Sequence, residues 1–286
     1  MISGRLHLLA LALLLPTPAT ASEGMLTVMT YNLRFASDTP PNAWAARRPL
    51  VRATVAKAAP DVIGTQEGVY AQLKDMEADL PEYTWIGLGR DGGSRGEFMA
   101  VFYRRDRLEP VAFDHFWLSD TPEVIGTATW GNRHNRMVTR VRFKDLGTGA
   151  EFELWNTHFD HEVQLAREKS AALVRDRVAK LEAGLPVILT GDFNAPAGAN
   201  AAYSRLTEDG FFTDTWTAAK ERTNEDFGTF NGFGETPQGG ARIDWILTRG
   251  VAAPEAAEIV VQPAGEPYAS DHYPVVVKLT LPPPAR

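Results

Sequence analysis

The sequence predicts an α/β sandwich, in which two β-sheets pack face to face and helices cover their outer sides. Short apolar runs of strand length alternate with amphipathic helical stretches, and strands also follow one another directly between residues 99 and 156. No proline-rich linker divides residues 22–286, and 44% of the 286 residues are hydrophobic. These observations favour one domain with a sizeable core.

The predicted strands are rich in β-branched and aromatic residues or form wholly apolar runs. They span residues 26–33, 61–66, 99–103, 136–143, 151–156, 187–189, 243–247 and 275–279. The predicted helices, each with an apolar stripe, span residues 44–59, 69–80 and 163–181. We place Pro49 in the first turn of the first helix, which Pro60 ends.

Irregular segments join these elements. The glycine-rich loop 87–96 carries Arg90 and matches no nucleotide-binding fingerprint, so we interpret it as a rim loop. Residues 117–135 form a long loop rich in aromatic and polar residues, and residues 223–241 form a second long loop. We interpret Phe230 of that loop as a core residue.

The N-terminal residues have the pattern of a secretory signal peptide. Arg5 precedes an apolar run at residues 6–15, and residues 19–21 have the A-x-A form of a cleavage site. We therefore predict a signal peptide at residues 1–21 and an exported protein, periplasmic or secreted, without an integral membrane anchor.

The composition limits the kinds of site and partner. Cysteine is absent, which excludes disulfides, thiolate metal sites and thiol nucleophiles. The formal net charge of −7 gives no overall basic field to attract nucleic acid or anionic lipid. A phosphate substrate is still compatible, because bound divalent cations can reverse the local charge. We expect the protein to be a monomer.

The stretch P-V-I-L-T-G-D-F-N at residues 186–194 concentrates polar groups where a buried strand ends. Asp192 and Asn194 are two residues apart, so an extended chain points both toward one site while Phe193 packs back. Gly191 allows a ligand or another backbone to approach closely. The alternative interpretation is an ordinary strand-end turn, in which these residue types are common.

Other strand ends carry the same kinds of side chain. They are Asn32, Glu67, His158 and the pair Asp271 and His272. Asp244 lies in an otherwise apolar strand, where a carboxylate needs a partner, and His272 is the candidate. An oxygen-rich set without sulfur suits Mg²⁺ or Mn²⁺. Histidines beside such an ion suit metal-assisted hydrolysis of a phosphate ester.

Six motifs in this order resemble the endonuclease/exonuclease/phosphatase superfamily, which is deoxyribonuclease-I-like. They are T-Y-N-L-R, I-G-T-Q-E, N-T-H-F-D-H, G-D-F-N, R-I-D-W-I and S-D-H-Y-P. The resemblance covers residues 26–281 and implies a four-layered α/β sandwich of two packed mixed β-sheets flanked by helices. It identifies the chain as a secreted bacterial-type member.

The resemblance implies a magnesium site and a role for each motif residue. Glu67 is the main ligand of Mg²⁺, or of Mn²⁺, with Asn32 and Asp271 nearby. One or two ions are compatible with these residues.

The same resemblance implies the catalytic groups. Asp192 and Asn194 hold the attacking water and the phosphate. Asp244 orients His272, which acts as general base or binds the phosphate. His158 is the general acid or stabilises charge in the transition state. Either Asp192 or His272 could activate the water.

Four further residues are candidates for substrate binding: Arg34, Arg136, Asp160 and His161. Salt bridges would explain the arginines equally well, and Asp160 could cap the helix that follows it. The expected function is an exported phosphoesterase acting on a phosphodiester or phosphomonoester, with a small molecule, a lipid head group or nucleic acid as substrate. The alternatives are a nuclease acting on DNA or RNA and a non-catalytic protein that binds a phosphate ligand.

Overall fold

A computed structural model describes residues 24–234, 239–263 and 265–284. The signal peptide predicted at residues 1–21 lies outside these residues. Within them, no helix combines the length and apolar character needed to cross a bilayer.

Strands in the described part of the chain form two large mixed sheets and one small pair. In chain order they are β1 (Met25–Asn32), β2 (Val62–Gln66), β3 (Gly68–Val69), β4 (Tyr83–Ile86), β5 (Glu97–Phe98), β6 (Val101–Arg104), β7 (Leu108–Trp117), β8 (Met137–Asp145), β9 (Glu151–His158), β10 (Val187–Asp192), β11 (Thr213–Asp214), β12 (Glu221–Thr223), β13 (Asp244–Arg249), β14 (Ala256–Ile259) and β15 (Val275–Thr280). Sheet one has the order β12-β14-β15-β1-β2-β6-β4, sheet two has the order β11-β13-β10-β9-β8-β7, and β3 pairs with β5.

The principal helices cover the outer sides of the sheets. The helices are α1 (Trp44–Ala58), α2 (Tyr70–Asp79), α3 (Gln164–Val178), α4 (Ala201–Thr207) and α5 (Thr215–Ala218), with a 3₁₀ turn at Glu208–Gly210. Apolar residues of α1 and α2 pack on sheet one, and those of α3 and α4 pack on sheet two. A third cluster fills the space between the sheets, where Val28 and Val62 meet Leu154 and Ile188. The predicted four-layered α/β sandwich is confirmed.

Buried polar side chains join the two sheets at one point, which we call the polar seam (Gly64, Gln66, Asn156 and Thr190). Asn156 donates to the carbonyl of Thr65 at 2.8 Å and accepts from Gln66 Nε2 at 2.7 Å. A Cβ added to Gly64 would lie 2.2 Å from Thr190 Oγ1. The sheets therefore approach so closely here that only glycine leaves room.

The pairing of the central strands brings their polar ends to one edge of the sandwich. Parallel β1 and β2 place Asn32 opposite Gln66. Parallel β9 and β10 place His158 opposite Asp192, and antiparallel β13 places Asp244 on the other side of Asp192. Functional groups from both sheets can therefore meet at this edge.

Several details differ from the sequence prediction, which did not include β3, β4, β5, β7, β11, β12, β14, α4 or α5. Pro49 does not lie in the first turn of α1, because that helix begins at Trp44, whose N–H donates to the carbonyl of Ser37 at 2.7 Å. The proline ring is accommodated in the second turn. The edge strand β7 was not predicted as an element, because most of its middle residues are exposed and its apolar residues do not alternate regularly.

Candidate active site

Two aspartates and a histidine lie side by side where β9, β10 and β13 end or begin. Asp192 lies between His158 and Asp244 in the strand register, and all three side chains are buried. His158 Nε2 is 3.5 Å from Asp192 Oδ2. Because β10 is buried along its whole length, its terminal carboxylate lies where the strand leaves the core at the edge of the sheet.

Asn32 and Glu67 extend this set from sheet one. Glu67 directly follows β2 and has a φ of 63°, so the chain turns sharply at this residue. Asn32 Nδ2 donates to Glu67 Oε1 at 3.0 Å and to Asp192 Oδ2 at 2.9 Å. One amide therefore links carboxylates that belong to the two different sheets.

The chain also turns immediately after Asp192. Asn194 has a φ of 49°, and its backbone N–H donates to Asp192 Oδ1 at 2.9 Å. Its side-chain amide donates to His158 Nε2 at 3.0 Å. Phe193 points into the core and stacks on Trp245 with ring centroids 4.2 Å apart. The turn thus holds both polar side chains on one side, although Asn194 itself is not extended.

Asp244 and His272 form a buried ion pair next to Asp192. His272 Nδ1 lies 2.9 Å from Asp244 Oδ2, and its Nε2 lies 3.7 Å from Asp192 Oδ2. Burial by itself lowers the pKa of His272, but the two carboxylates outweigh burial and raise this pKa to about 10. Burial and the charge of Asp244 raise the pKa of Asp192 to about 7.

His158 is held in its neutral form. Burial, together with the charge of Arg136, lowers the pKa of His158 well below its usual value. Its Nε2 accepts the hydrogen bond from Asn194, which leaves the proton on Nδ1. That nitrogen is buried and has no hydrogen-bond partner among the described residues.

Arg34 bridges two acidic side chains of the site. Its Nη1 lies 3.8 Å from Glu67 Oε2, and its Nε lies 3.6 Å from Asp271 Oδ2. Burial raises the pKa of Asp271, and the nearby charge of Glu67 adds to this effect. The two carboxylates are therefore close enough to repel one another, and a positive charge between them is favourable.

The donor chemistry of this cluster fits a divalent cation. Ligand atoms of Glu67, His158 and Asp192 all lie within 4.8 Å of one another. Buried carboxylates whose pKa values are raised would be stabilised by a cation, and oxygen donors with few imidazoles suit hard ions. Of the predicted ligands, Glu67 belongs to this group, whereas Asn32 turns its amide nitrogen toward the carboxylates and its oxygen accepts from the N–H of Arg34.

A cavity of about 670 Å³ opens onto the cluster. The predicted site residues that line it are Arg34, Glu67, Arg136, His158, His161, Asp192, Asn194, Asp271 and His272. Asn32, Asp160 and Asp244 do not line the cavity but are buried behind it. The six motifs are thus brought to one place, with some of their residues in contact with the cavity and others supporting them.

A match to the endonuclease/exonuclease/phosphatase family covers residues 29–272, which include every residue that lines this cavity. The chain belongs to this family. Members of the endonuclease/exonuclease/phosphatase family hydrolyse phosphoester bonds and typically use a divalent metal. The clustered carboxylates and imidazoles described above agree with that chemistry.

Several proteins similar to this family member are known. A mannosyl-6-phosphatase from Bacteroides thetaiotaomicron VPI-5482 is 36% identical, with a TM-score of 0.84, and the match covers 90% of this chain and all of that one. An endonuclease/exonuclease/phosphatase from Bacteroides vulgatus is 33% identical, with a TM-score of 0.85, over 90% of this chain and 99% of that one. An uncharacterized protein of Acanthamoeba polyphaga mimivirus is 31% identical over 160 residues, which are 53% of this chain and 59% of that protein.

Of the residues predicted to bind substrate, Arg136 and His161 line the cavity and contact each other, whereas Asp160 lies behind the cavity wall. Arg136 is buried, and its Nη2 lies 2.9 Å from His161 Nδ1. Asp160 Oδ1 accepts from the backbone N–H groups of Glu162 and Val163 immediately before α3, and its Oδ2 lies 3.7 Å from Arg136 Nε. Asp160 therefore supports the turn and balances the charge of Arg136 behind the cavity wall.

Several cavity residues were not identified from the sequence as site residues: Phe35, Arg90, Glu97, His134, Phe230, Gly232, Phe233 and Ile243. Phe35 and Glu97 line the cavity although neither belongs to a recognised motif. The interpretation of Phe230 as a core residue is wrong, because this side chain is 52% exposed and lines the cavity. A backbone bridge between Phe230 and His272 sets its ring against the imidazole, with ring centroids 5.1 Å apart. The sequence gives only weak signals for these three residues, since Phe35 directly follows the T-Y-N-L-R motif, Glu97 directly follows the loop 87–96, and Phe230 lies within the loop 223–241.

Proposed function

We propose that this protein is a metal-dependent phosphoesterase that releases phosphate from a small phosphorylated sugar. One observation carries the proposal: ligand atoms of Glu67, His158 and Asp192 lie close enough together to hold one cation, beside the Asp244–His272 pair. This arrangement combines a cation site with groups that can take up and supply protons, as attack of water on a phosphate ester requires.

We assign the cation to Mg²⁺ or Mn²⁺ and its main ligand to Glu67. Asp271 is a second carboxylate on the same side, joined to Glu67 through Arg34, and Asn32 orients the Glu67 carboxylate through a hydrogen bond of 3.0 Å. When bound, such an ion neutralises phosphoryl oxygens and makes a water molecule more acidic.

Asp192 is the better candidate for the base that takes a proton from the attacking water. Its carboxylate is held at the site by hydrogen bonds from the Asn32 side chain and from the backbone N–H of Asn194, so it can accept a proton from a water molecule bound there. His272, with a pKa of about 10, keeps its proton at neutral pH and so donates from Nε2 to a phosphoryl oxygen, while Asp244 fixes the ring through Nδ1. Asn194 holds the Asp192 carboxylate through its backbone N–H.

His158 and Arg136 stabilise negative charge on the phosphoryl group in this scheme. Both residues line the cavity, and the guanidinium of Arg136 places a positive charge beside it. Pre-positioned donors in a buried site are worth more to a charged transition state than the same donors in water.

The sugar assignment is supported by the 36% identity, over 90% of this chain, to the mannosyl-6-phosphatase. We further propose that the protein is exported, on the basis of the signal-peptide pattern at residues 1–21. The test has three readouts: phosphate release from hexose 6-phosphates, p-nitrophenol release from p-nitrophenyl phosphate and bis(p-nitrophenyl) phosphate, and nicking of plasmid DNA. Each is measured with Mg²⁺, with Mn²⁺ and with EDTA. We expect metal-dependent release from the monoesters. Preferential cleavage of plasmid DNA would instead make the protein a nuclease, and no turnover of any ester would favour a binding protein.

A further inference from the structure

The cavity extends beyond the metal-binding cluster along a second surface, which we call the polar wall. Its members are Arg90, Glu97, His134, Arg136 and His161, all of which line the cavity. They come from separate loops and strand ends that surround His158. Arg136, which we also assign to the phosphoryl group, lies at the boundary between this wall and the hydrolytic cluster, whereas Arg90, Glu97, His134 and His161 have no role in the proposed hydrolysis.

The charges on the polar wall are balanced. Arg90 Nη1 donates to Glu97 Oε2 at 2.6 Å, and Arg136 lies 3.7 Å from the Asp160 carboxylate behind it. Burial, together with the charges of Arg90 and Arg136, lowers the pKa of His134, so its imidazole is neutral at neutral pH. A wall that compensates its own charges is poorly suited to a second phosphate or to the backbone of a nucleic acid, which require an excess of positive charge.

The same wall retains unused hydrogen-bonding capacity of both kinds. Within the described residues, Glu97 Oε1 accepts no hydrogen bond, although the second oxygen of the same carboxylate accepts from Arg90. His134 adds one donor and one acceptor in its neutral form. A surface that offers both donors and acceptors suits hydroxyl groups, each of which both donates and accepts.

An exposed aromatic side chain provides the complementary apolar contact in the same cavity. Phe230 is 52% exposed, and its position is fixed by the backbone bridge to His272 and by its edge-to-face contact with that ring. A saturated sugar ring presents C–H groups on one face and hydroxyl groups around its edge. Phe230 can contact the C–H groups while the polar wall binds the hydroxyl groups.

We infer that the polar wall and Phe230 bind the neutral, hydroxyl-rich ring of the substrate, and that Glu97 and Arg90 determine its specificity. This inference rests on the proposed phosphoesterase function and assigns residues to recognition of the leaving group. Glu97 accepts hydrogen bonds from hydroxyl groups of the ring, and Arg90 both positions Glu97 and donates to the ring oxygens.

The loop that carries Arg90 is held in place before any substrate binds. Trp117 Nε1 donates to the carbonyl of Arg90 at 2.7 Å, and Asn135 Nδ2 donates to Asp91 Oδ1 at 2.7 Å. A Cβ on Gly89 would lie 2.0 Å from the carbonyl oxygen of Arg95, which requires glycine at that point. Because the polar wall is already ordered, little conformational entropy is lost when a ligand binds. Such a surface can distinguish between ligands by the positions of their hydroxyl groups.

The inference is tested with Glu97→Gln, assayed against a hexose 6-phosphate, its deoxy analogues and p-nitrophenyl phosphate. The aryl ester carries no ring hydroxyls and serves as the reference for turnover. We expect kcat/KM for the hexose phosphate, divided by kcat/KM for the aryl ester, to fall about 10- to 100-fold, because a hydrogen bond to a charged group is lost. In the wild type, kcat/KM should be lower for the deoxy analogue that lacks the hydroxyl bound by Glu97 than for the parent hexose 6-phosphate. In Glu97→Gln this difference should disappear, as a double-mutant cycle requires.

The matched control is Glu77→Gln, which neutralises an exposed glutamate of α2 that pairs with Lys74 and does not line the cavity. It should leave the ratio unchanged. If Glu97→Gln fails to fold, Phe230→Leu tests the same ring-binding surface and should lower the same ratio.

Three results would overturn the inference while leaving the proposed function intact: an unchanged ratio in Glu97→Gln, faster hydrolysis of a hexose bisphosphate than of the monophosphate, or a higher Mg²⁺ requirement in Glu97→Gln. The last result would make Glu97 a metal ligand. A wild-type protein that hydrolyses no phosphate ester, including the aryl ester, would overturn the proposed function and the inference with it.

Discussion

The substitution Asp244→Asn tests the buried ion pair of the site, because it keeps the side-chain shape and removes the charge. Asp244 Oδ2 lies 2.9 Å from His272 Nδ1, and both side chains are buried. The pKa of His272 is about 10 in the folded chain, compared with a usual value of 6.5. At about 1.4 kcal/mol for each pKa unit, this difference corresponds to a preference of about 5 kcal/mol for the protonated ring.

The direction of the pH effect follows from proton binding. Because its pKa is raised in the folded state, His272 contributes stability that is complete below pH 6.5 and is lost as the pH rises toward about 10. The pKa of Asp192 is also raised, so its contribution to the free energy of unfolding is lost as the pH rises from 3.8 to about 7. Between about pH 7.5 and about 9.5, the free energy of unfolding should therefore fall by up to about 1.4 kcal/mol per pH unit, mainly through His272.

The assay is urea denaturation across that pH range in EDTA, which keeps metal ions from the site. In Asp244→Asn the slope of unfolding free energy against pH should fall to less than half of the wild-type slope. The control is Asp214→Asn, which disturbs a buried carboxylate paired with Arg242 and Tyr203 outside the cavity. This control should be less stable at every pH and keep the wild-type slope. A wild-type slope in Asp244→Asn would refute the reasoning.

Three further substitutions test the cation site, the cavity wall and the fold. Glu67→Gln should lower kcat by about 100-fold or more and raise the Mg²⁺ concentration for half-maximal rate, measured by phosphate release; an unchanged metal requirement would contradict its role as main ligand. His161→Ala should lower kcat/KM less than about tenfold, because this side chain is 43% exposed and the lost contacts are replaced by water; a loss equal to that of His158→Ala would place it at the reacting centre. Gly64→Ala should lower the free energy of unfolding by about 1–3 kcal/mol, since its Cβ would lie 2.2 Å from Thr190 Oγ1; an unchanged urea midpoint would show that the seam can open without cost.

The parts of the site that follow strand geometry could be predicted from the sequence. The apolar run before Asp192 identifies a buried strand, and a carboxylate at its end must leave the core at the edge of the sheet. The apolar surroundings of Asp244 likewise require a partner, and the structure places His272 at 2.9 Å. These inferences succeed because they depend on local pattern and on the cost of burying charge.

The polar wall could not be predicted in the same way. The pairing of Arg90 with Glu97 depends on a tight loop whose shape is fixed by distant residues such as Trp117 and Asn135. The exposure of Phe230 depends on its bridge to His272, which is 42 residues further along the chain. Hydrophobic periodicity carries no information about contacts of this kind, because they are made by irregular segments after the sheets have packed.

The reacting groups are divided between the two sheets, and the polar seam holds those sheets in alignment. A chain in which only one sheet has formed possesses half of the carboxylates and half of the imidazoles. The proposed cation site is therefore complete only when the two sheets have docked. We expect the proposed phosphoesterase activity to appear during refolding only after that step.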